Sequence, residues 1–229
     1  MLTGTFGCGK TLVGRTLLEK LSGDKYKIAF VANPKLDYIE LLIAISQELG
    51  GGRDLPQKKS DLVTTFVLNG LKVILEDNAR DGRETVVVVD EAHLLTESSA
   101  LEGLRLLLNF QWNDRFLLTL LLLGQPELRE VVSQFKPLEQ RIGIRCHLDH
   151  LSEEETNQYI QFRLRTAGRE EPLFTAGAIR TIHQHTGGIP RRINTLCDIC
   201  LLAGFMKKEK QVEQRIVQEE IEDTTRNLS

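Results

Sequence analysis

The sequence predicts an α/β protein, with a doubly wound parallel sheet followed by a unit made only of helices. In the first part of the chain, short apolar segments with strand character alternate with segments of helical period, the pattern of βαβ crossovers. A glycine-rich turn directly precedes the first helical segment. Beyond about residue 150 the helical period continues with no strand pattern between the segments. We therefore expect two domains, an α/β core over residues 1–149 and a helical domain over residues 150–229.

Three apolar segments predict strands of the sheet. Residues 27–32 and 85–89 are short and rich in β-branched or aromatic side chains, and residues 116–123 are rich in leucine and followed by Gly124. Residues 142–148 could supply a further strand. Runs of this kind are typical of parallel strands that are buried on both faces.

Segments with apolar residues three and four positions apart predict the helices. In the core these segments cover residues 11–21, 37–49, 60–79 and 97–110. In the helical domain they cover residues 152–166, 175–186, 191–205 and 212–224. Ser152 followed by Glu155 fits a capping box that begins the first helix of that domain.

The composition excludes several classes of protein. The chain has 229 residues, of which 41% are hydrophobic and 27% charged, so it can bury a core and is untypical of disorder. Its formal net charge of -3 argues against attachment to nucleic acid or anionic lipid by overall charge. The longest apolar run, residues 116–123, is far shorter than the roughly 20 residues that span a bilayer. Four cysteines in this length suggest reduced thiols, so we expect a cytoplasmic protein.

Residues 4–11 form a glycine-rich loop that satisfies the pattern G-x-x-x-x-G-K-S/T. The glycines let backbone N–H groups turn around phosphate oxygens, Lys10 would reach the β- and γ-phosphates, and the Thr11 hydroxyl would ligate Mg²⁺. The alternative is a plain glycine-rich turn before a helix. We predict that ATP contacts this loop and the residue after it: Gly4, Thr5, Phe6, Gly7, Cys8, Gly9, Lys10, Thr11 and Leu12.

Two carboxylates follow the strand predicted at residues 85–89. Ligands of a doubly wound sheet lie at the carboxyl ends of its strands, so Asp90 would face the same crevice as Lys10. Asp90 would hold Mg²⁺ directly or through water, and Glu91 would orient and polarise the attacking water. A strand that ends in two acids is often only a solvated turn. The conjunction of both motifs, in order and on the right elements, favours a nucleotide site.

Four further stretches extend these two nucleotide motifs: residues 90–95 (DEAHLL), 123–128 (LGQPEL), 138–142 (LEQRI) and 187–194 (GGIPRRIN). With them the chain resembles the ExeA or GspA family within the AAA+ class of P-loop ATPases, from residue 2 to about residue 221. The resemblance implies an ATPase of the general, type II, secretion pathway or of related pilus-type machinery. It also implies Mg²⁺-dependent hydrolysis at intersubunit sites of a homo-oligomer, partners at the inner membrane, and peripheral attachment there through a partner.

The same resemblance implies roles for three residues beyond the nucleotide motifs. Gln125 stands at the sensor-1 position, where it would orient water against the γ-phosphate; a turn amide is the alternative. Arg141 resembles the arginine finger that reaches into a neighbouring subunit's site, with Arg145 as the competing candidate and an exposed arginine as the plain alternative. Arg191 resembles the sensor-2 arginine of a helical lid, and Arg192 points about 100° away around the helix.

Three other features are open to two interpretations. Asn33 matches a position that can hold the catalytic glutamate inactive, but an Asn before a proline more simply forms a turn. Cys197 and Cys200 lie on a predicted helix and have no second pair at zinc spacing, which favours ordinary thiols over metal ligands. The basic turn at residues 207–210 is typical of a solvated loop, and it is also the best local candidate for contact with an acidic partner.

Two other functions stay open at this stage. A DNA-bound ATPase resembling the transposition regulators TniB and MuB would have the same architecture and would bind DNA in a salt-dependent way. The acidic balance of the chain counts against it, while the basic residues at 191–192 and 207–210 leave room for it. A signalling module that binds nucleotide with little turnover is the other alternative, and the intact Glu91 counts against it.

The position of the phosphate loop leads to one further expectation. Such a loop follows the first strand, which lies inside the sheet in this class, yet only Met1 and Leu2 precede Thr3 and Gly4. We therefore expect the chain to be truncated at its N-terminus, without most of a central strand and the segment that helps enclose adenine. Weak nucleotide affinity and low stability would follow.

Overall fold

The computed structural model describes residues 1–21, 23–32, 35–51, 61–95 and 97–226, and it divides into two compact units. The first unit comprises Met1–Thr5 and Lys10–Leu148. The second comprises Phe6–Gly9 and the chain from Asp149 onward. The predicted α/β class is confirmed, since the first unit is built on a parallel sheet flanked by helices and the second is helical.

The first unit is built on a five-stranded parallel sheet of order β2-β3-β6-β1-β7. Its strands are β1 (Leu2–Gly4), β2 (Tyr26–Val31), β3 (Glu84–Val89), β6 (Leu118–Gly124) and β7 (Cys146–Leu148), beside a separate antiparallel hairpin of β4 (Gln111–Trp112) and β5 (Arg115–Phe116). The strand that leads into the phosphate loop therefore lies inside the sheet, between β6 and β7, as expected. The carboxyl ends of β3, β6 and β1 are next to one another, because consecutive members of this set are hydrogen-bonded neighbours.

Helices pack on both faces of this sheet, as a doubly wound fold requires. They are α1 (Lys10–Leu21), α2 (Tyr38–Glu48), α3 (Asp61–Arg80), α4 (Ser98–Leu107), α5 (Leu128–Gln134) and α6 (Lys136–Glu139), with a 3-10 turn at Ala92–Leu94. Successive side chains of β3 alternate between the faces. Val87 and Val89 join the large core with α2 to α6, whereas Val86 and Val88 join a smaller core that includes Leu18 of α1.

The structure differs from the predicted elements in the region before and after β6. The predicted strand at residues 116–123 begins only at Leu118, because Phe116 belongs to the β4–β5 hairpin. Asn113 and Asp114 have φ of 48° and 60°, which suits the two central residues of a hairpin turn. Helices α5 and α6 were not predicted, since segments of 7 and 4 residues are too short to display a helical period.

The second unit contains four helices, α7 (Glu153–Thr166), α8 (Ala176–Thr186), α9 (Pro190–Met206) and α10 (Gln214–Arg226). The capping box is present at the start of α7, where Glu155 N–H donates to Ser152 Oγ (3.2 Å) and Ser152 N–H donates to Glu155 Oε2 (2.8 Å). The bond from Ser152 lowers the pKa of Glu155, because it stabilises the carboxylate form. Each helix contributes to one apolar core, with Ile160, Ile182, Cys200 and Ile216 almost completely buried.

Within the part of the chain that the structure describes, no helix combines the length and the hydropathy that a crossing of the membrane demands.

Candidate nucleotide site

The first unit brings several predicted site residues to adjacent strand ends. Lys10 and Thr11 begin α1, while Asp90 and Glu91 follow β3 and Gln125 follows β6. Register places Val89 of β3 beside Leu122 of β6, and Thr3 of β1 beside Gly124 of β6. The polar residues therefore lie at the edge of the sheet where ligands of doubly wound folds bind.

Thr11 and Asp90 form the tightest polar contact of this edge. Thr11 Oγ1 donates to Asp90 Oδ2 at 2.6 Å, and Asp90 Oδ1 accepts the N–H of Glu91 at 2.9 Å. Asp90 is 4% exposed, so its carboxylate is held in a fixed place. A hydroxyl beside a carboxylate is the donor set that Mg²⁺ takes, with water and phosphate oxygens completing an octahedron. The residues thus fit a Mg²⁺ ion that arrives with a phosphate.

Within the described residues, no group of three or more His, Cys, Asp or Glu could hold a metal ion by protein atoms alone.

Lys10 is almost completely buried at the start of α1. It is 5% exposed, and its Nζ donates to the carbonyl oxygen of Thr5 at 3.0 Å. Because the first N–H groups of a helix have no intrahelical partner, this end of α1 attracts anions. A phosphate oxygen would replace a neutral carbonyl as the acceptor for the ammonium group. Gly4 ends β1, and the side chain of Leu12 is 69% exposed one position after Thr11.

The remaining loop residues group with the start of α9 in the second unit. Gly7 has φ of +88°, and a Cβ there would lie 3.0 Å from Arg191 Cβ and 3.1 Å from Ile189 Cγ2, so only glycine fits without strain. Gly9 has φ of +96° and Cys8 is buried. The loop is therefore shaped by glycines at its two positive-φ positions.

Arg191 makes two contacts with this part of the loop. Its N–H donates to the carbonyl oxygen of Gly7 at 3.2 Å, and its guanidinium carbon lies 4.8 Å from the centroid of the Phe6 ring, which is 60% exposed. The second contact is a cation–π interaction. Arg191 and the next residue, Arg192, are both exposed, and the two contacts above belong to Arg191. Of the two arginines, the structure thus brings Arg191 to the loop.

His93 is a site residue that the sequence analysis did not single out. Its Nδ1 accepts the N–H of Gln125 at 3.3 Å and lies 3.5 Å from Glu91 Oε2, while its Nε2 lies 3.1 Å from the side-chain amide of Gln125. The available signal was the spacing Asp-Glu-x-His directly after a buried strand. That spacing puts an imidazole one short turn beyond the two carboxylates.

The two candidates for the arginine finger are exposed and bound to their own chain. Arg141 donates from Nη1 to the carbonyl oxygen of Leu108 (3.2 Å) and from Nη2 to Asn109 Oδ1 (2.6 Å). Arg145 donates from Nη2 to the carbonyl oxygen of Glu139 (3.4 Å) and lies 3.6 Å from its carboxylate. The contacts of Arg141 therefore fix it at the end of α4, and those of Arg145 fix it at the end of α6.

Of the other conspicuous residues, the structure describes the two cysteines and the basic turn. Cys197 and Cys200 are buried on α9, and burial raises the pKa of each thiol to about 12, so both are protonated at neutral pH and are poor metal ligands. In the basic turn, Lys207 forms an ion pair with Glu219. Asn33 lies outside the described residues.

The chain is similar in sequence to known proteins. The AAA domain family matches residues 1–132. The chain is 40% identical over 215 residues to the general secretion pathway protein A of Aeromonas hydrophila, an alignment that covers 93% of this chain and 38% of that protein. The chain thus spans about two fifths of the relative.

Two solved structures share the fold. One is the Aeropyrum pernix ORC2 protein in ADPNP and ADP complexes, with a TM-score of 0.71 and 16% identity, over 97% of this chain and 61% of that one. The other is the RuvB Holliday junction branch migration motor of Thermotoga maritima, with a TM-score of 0.64 and 20% identity, over 96% of this chain and 60% of that one. At these identities the likeness concerns the fold.

Proposed function

The chain belongs to the AAA family of P-loop ATPases, and on this premise we propose that it binds ATP with Mg²⁺ and hydrolyses it. The observation that carries the proposal is the Thr11–Asp90 contact of 2.6 Å beside the buried Lys10, with Glu91 next in sequence. These groups meet at the strand ends although they come from distant parts of the chain. Each has the chemistry that phosphoryl transfer to water needs.

The proposed roles follow from the chemistry of each group. Lys10 Nζ and the N–H groups at the start of α1 donate to the β- and γ-phosphate oxygens. Thr11 and Asp90 hold Mg²⁺, which when bound neutralises charge on the phosphate oxygens. Glu91 polarises a water and Gln125 orients it. The water oxygen attacks the γ-phosphorus while its proton passes to Glu91, the bond from that phosphorus to the β,γ-bridging oxygen breaks, and ADP and phosphate leave.

Release of phosphate tests this proposal directly. We expect the protein to release phosphate from ATP in the presence of Mg²⁺, and chelation of the ion to lower the rate by about 100-fold, since a catalytic metal supplies several kcal/mol. Addition of excess Mg²⁺ should restore the rate. ATP binding without any phosphate release would instead favour a signalling module.

We further propose that the catalytic core is residues 1–149 and that the helices from α7 to α10 act as its lid, with Arg191 as the sensor-2 residue. The support is the pair of contacts that Arg191 makes with Gly7 and Phe6 of the phosphate loop. The γ-phosphate would compete with the Phe6 ring for the guanidinium group. A hydrogen bond between ionised groups is stronger than an exposed cation–π contact, so the guanidinium group would leave the ring and bind the γ-phosphate.

We also propose that the protein is a homo-oligomer in which Arg141 completes the ATP site of a neighbouring subunit. If so, mixing Lys10→Ala with Arg141→Ala subunits should rescue turnover. In an equal mixture about a quarter of interfaces would join an intact Lys10 to an intact Arg141, and the rate should approach that fraction of wild type. A mixture with Arg145→Ala tests the competing finger. Absence of rescue at every ratio would rule out both intersubunit fingers.

The proposed partners are proteins of a secretion or pilus-type machine at the inner membrane, which a cytoplasmic ATPase would engage peripherally. The support is the 40% identity to the general secretion pathway protein A. A DNA-bound transposition regulator is the alternative. It has less support, because two cations at or near the basic turn are occupied: Lys207 pairs with Glu219, and Arg215 pairs with Glu209 and Glu219. ATP-dependent filaments on duplex DNA would favour that alternative.

A further inference from the structure

His93 contacts both residues that the proposed reaction assigns to the attacking water. Its Nδ1 accepts the Gln125 N–H and lies 3.5 Å from Glu91 Oε2, while its Nε2 faces the Gln125 side-chain amide. The side chain of His93 is 11% exposed and that of Glu91 is 32% exposed. A nearly buried imidazole thus lies between the two groups that would handle water.

The backbone around His93 is shaped to place the ring there. Glu91 has φ of 51° and ψ of 33°, a left-handed conformation that costs a non-glycine residue about 1 kcal/mol or more. It turns the chain directly into the 3-10 turn. That turn packs against the end of β6, where a Cβ on Gly124 would lie 3.2 Å from His93 N and 2.9 Å from Leu128 Cδ2. The glycine therefore allows the close approach that brings the ring to Gln125.

A neutral imidazole carries one ring proton, so Nδ1 cannot both accept the Gln125 N–H and donate to Glu91. When Nδ1 accepts the Gln125 backbone N–H, the ring proton is on Nε2, which then cannot accept from the Gln125 side-chain nitrogen 3.1 Å away. When the proton is on Nδ1, it faces Glu91 Oε2 at 3.5 Å, Nε2 accepts from the Gln125 side-chain amide, and the Gln125 backbone N–H loses its acceptor. The ring therefore anchors the backbone of Gln125 in one state and links the side chains of Gln125 and Glu91 in the other.

We propose that His93 is a positioning residue that couples Gln125 to Glu91. While Nδ1 accepts the backbone N–H of Gln125, the ring holds that residue in place and leaves the Glu91 carboxylate available to polarise the water. The inference rests on the proposed function, because it needs Glu91 and Gln125 to act on water.

Kinetics of His93 variants test the coupling. We expect His93→Ala to lower kcat by about 100-fold, the cost of a misplacement near 1 Å, and to leave the affinity for ATP within about twofold. His93→Asn should recover about tenfold of that loss, since its Oδ1 can take the place of Nδ1 as the acceptor for Gln125. His183→Asn is the matched control. His183 is a half-buried histidine of the second unit whose ring is hydrogen-bonded to Thr156 Oγ1 at 3.1 Å and has no role in the proposed chemistry, so kcat should not change.

A double variant separates coupling from a general loss of structure. If His93 acts through Gln125, adding His93→Ala to Gln125→Ala should cost much less than His93→Ala costs alone. Full multiplication of the two costs would overturn the proposal. The proposal would also be overturned if the wild type is active and the His93→Ala protein retains the wild-type kcat. The same holds if the His93→Ala protein loses affinity for ATP by as large a factor as it loses kcat. A wild type that releases no phosphate would defeat the proposed function itself, and this inference with it.

Discussion

Lys10→Ala should reduce the affinity for ATP by at least about 100-fold. A hydrogen bond to a charged group contributes roughly 1.5 to 3 kcal/mol, and this ammonium would bond to two phosphates. Lys10 is 5% exposed and is already aimed into the loop by its bond to the Thr5 carbonyl oxygen, so little rearrangement is needed when ATP binds. Titration with a fluorescent ATP analogue measures the change.

Lys20→Ala is the matched control for this experiment. Lys20 is an exposed lysine in the last turn of the same helix, so its removal changes the net charge equally and leaves the phosphate loop intact. We expect its ATP affinity to stay within about twofold of wild type, because an exposed charge this far from the phosphates is largely screened. Thermal unfolding of both variants shows whether the fold persists. Wild-type affinity in a folded Lys10→Ala protein would contradict the phosphate-loop assignment.

The strand ends explain why much of the site could be predicted from sequence. A buried parallel strand is recognisable as a short apolar run, and the residues that follow it must lie at one edge of the sheet. That rule was enough to place Asp90 near the start of α1, and the structure has its carboxylate 2.6 Å from Thr11 Oγ1. The loop pattern and the strand rule are both local, and a single sequence displays them.

Contacts that depend on tertiary packing could not be predicted from the sequence. The bonds of His93 to Gln125 depend on how closely the 3-10 turn approaches β6, which the glycine at position 124 decides. The stacking of Arg191 on Phe6 joins residues from opposite ends of the chain. Helix α6 has 4 residues and no periodicity to detect. Phe116 looked like part of β6 because its hairpin is signalled only by the turn at Asn113 and Asp114.

Glu91→Gln should separate binding from hydrolysis. We expect kcat to fall by roughly 100-fold to 10,000-fold, the range that general-base catalysis supplies, while the affinity for ATP stays within about threefold. The amide has the shape of the carboxylate but cannot take a proton from water. Because Asp90 accepts the backbone N–H of residue 91, the change of side chain leaves that contact in place.

Glu84→Gln provides the comparison for Glu91→Gln. Glu84 is an exposed carboxylate at the start of the same strand, so the substitution has the same chemistry at the end of β3 opposite to the site, and kcat should not change. The two site variants then form a pair with opposite signatures. Lys10→Ala loses binding and therefore turnover, whereas Glu91→Gln keeps binding and loses turnover alone. A Glu91→Gln protein that hydrolyses ATP at the wild-type rate would show that another group activates the water. In that case the left-handed backbone of Glu91 would have to be explained by the packing of the 3-10 turn instead of by catalysis.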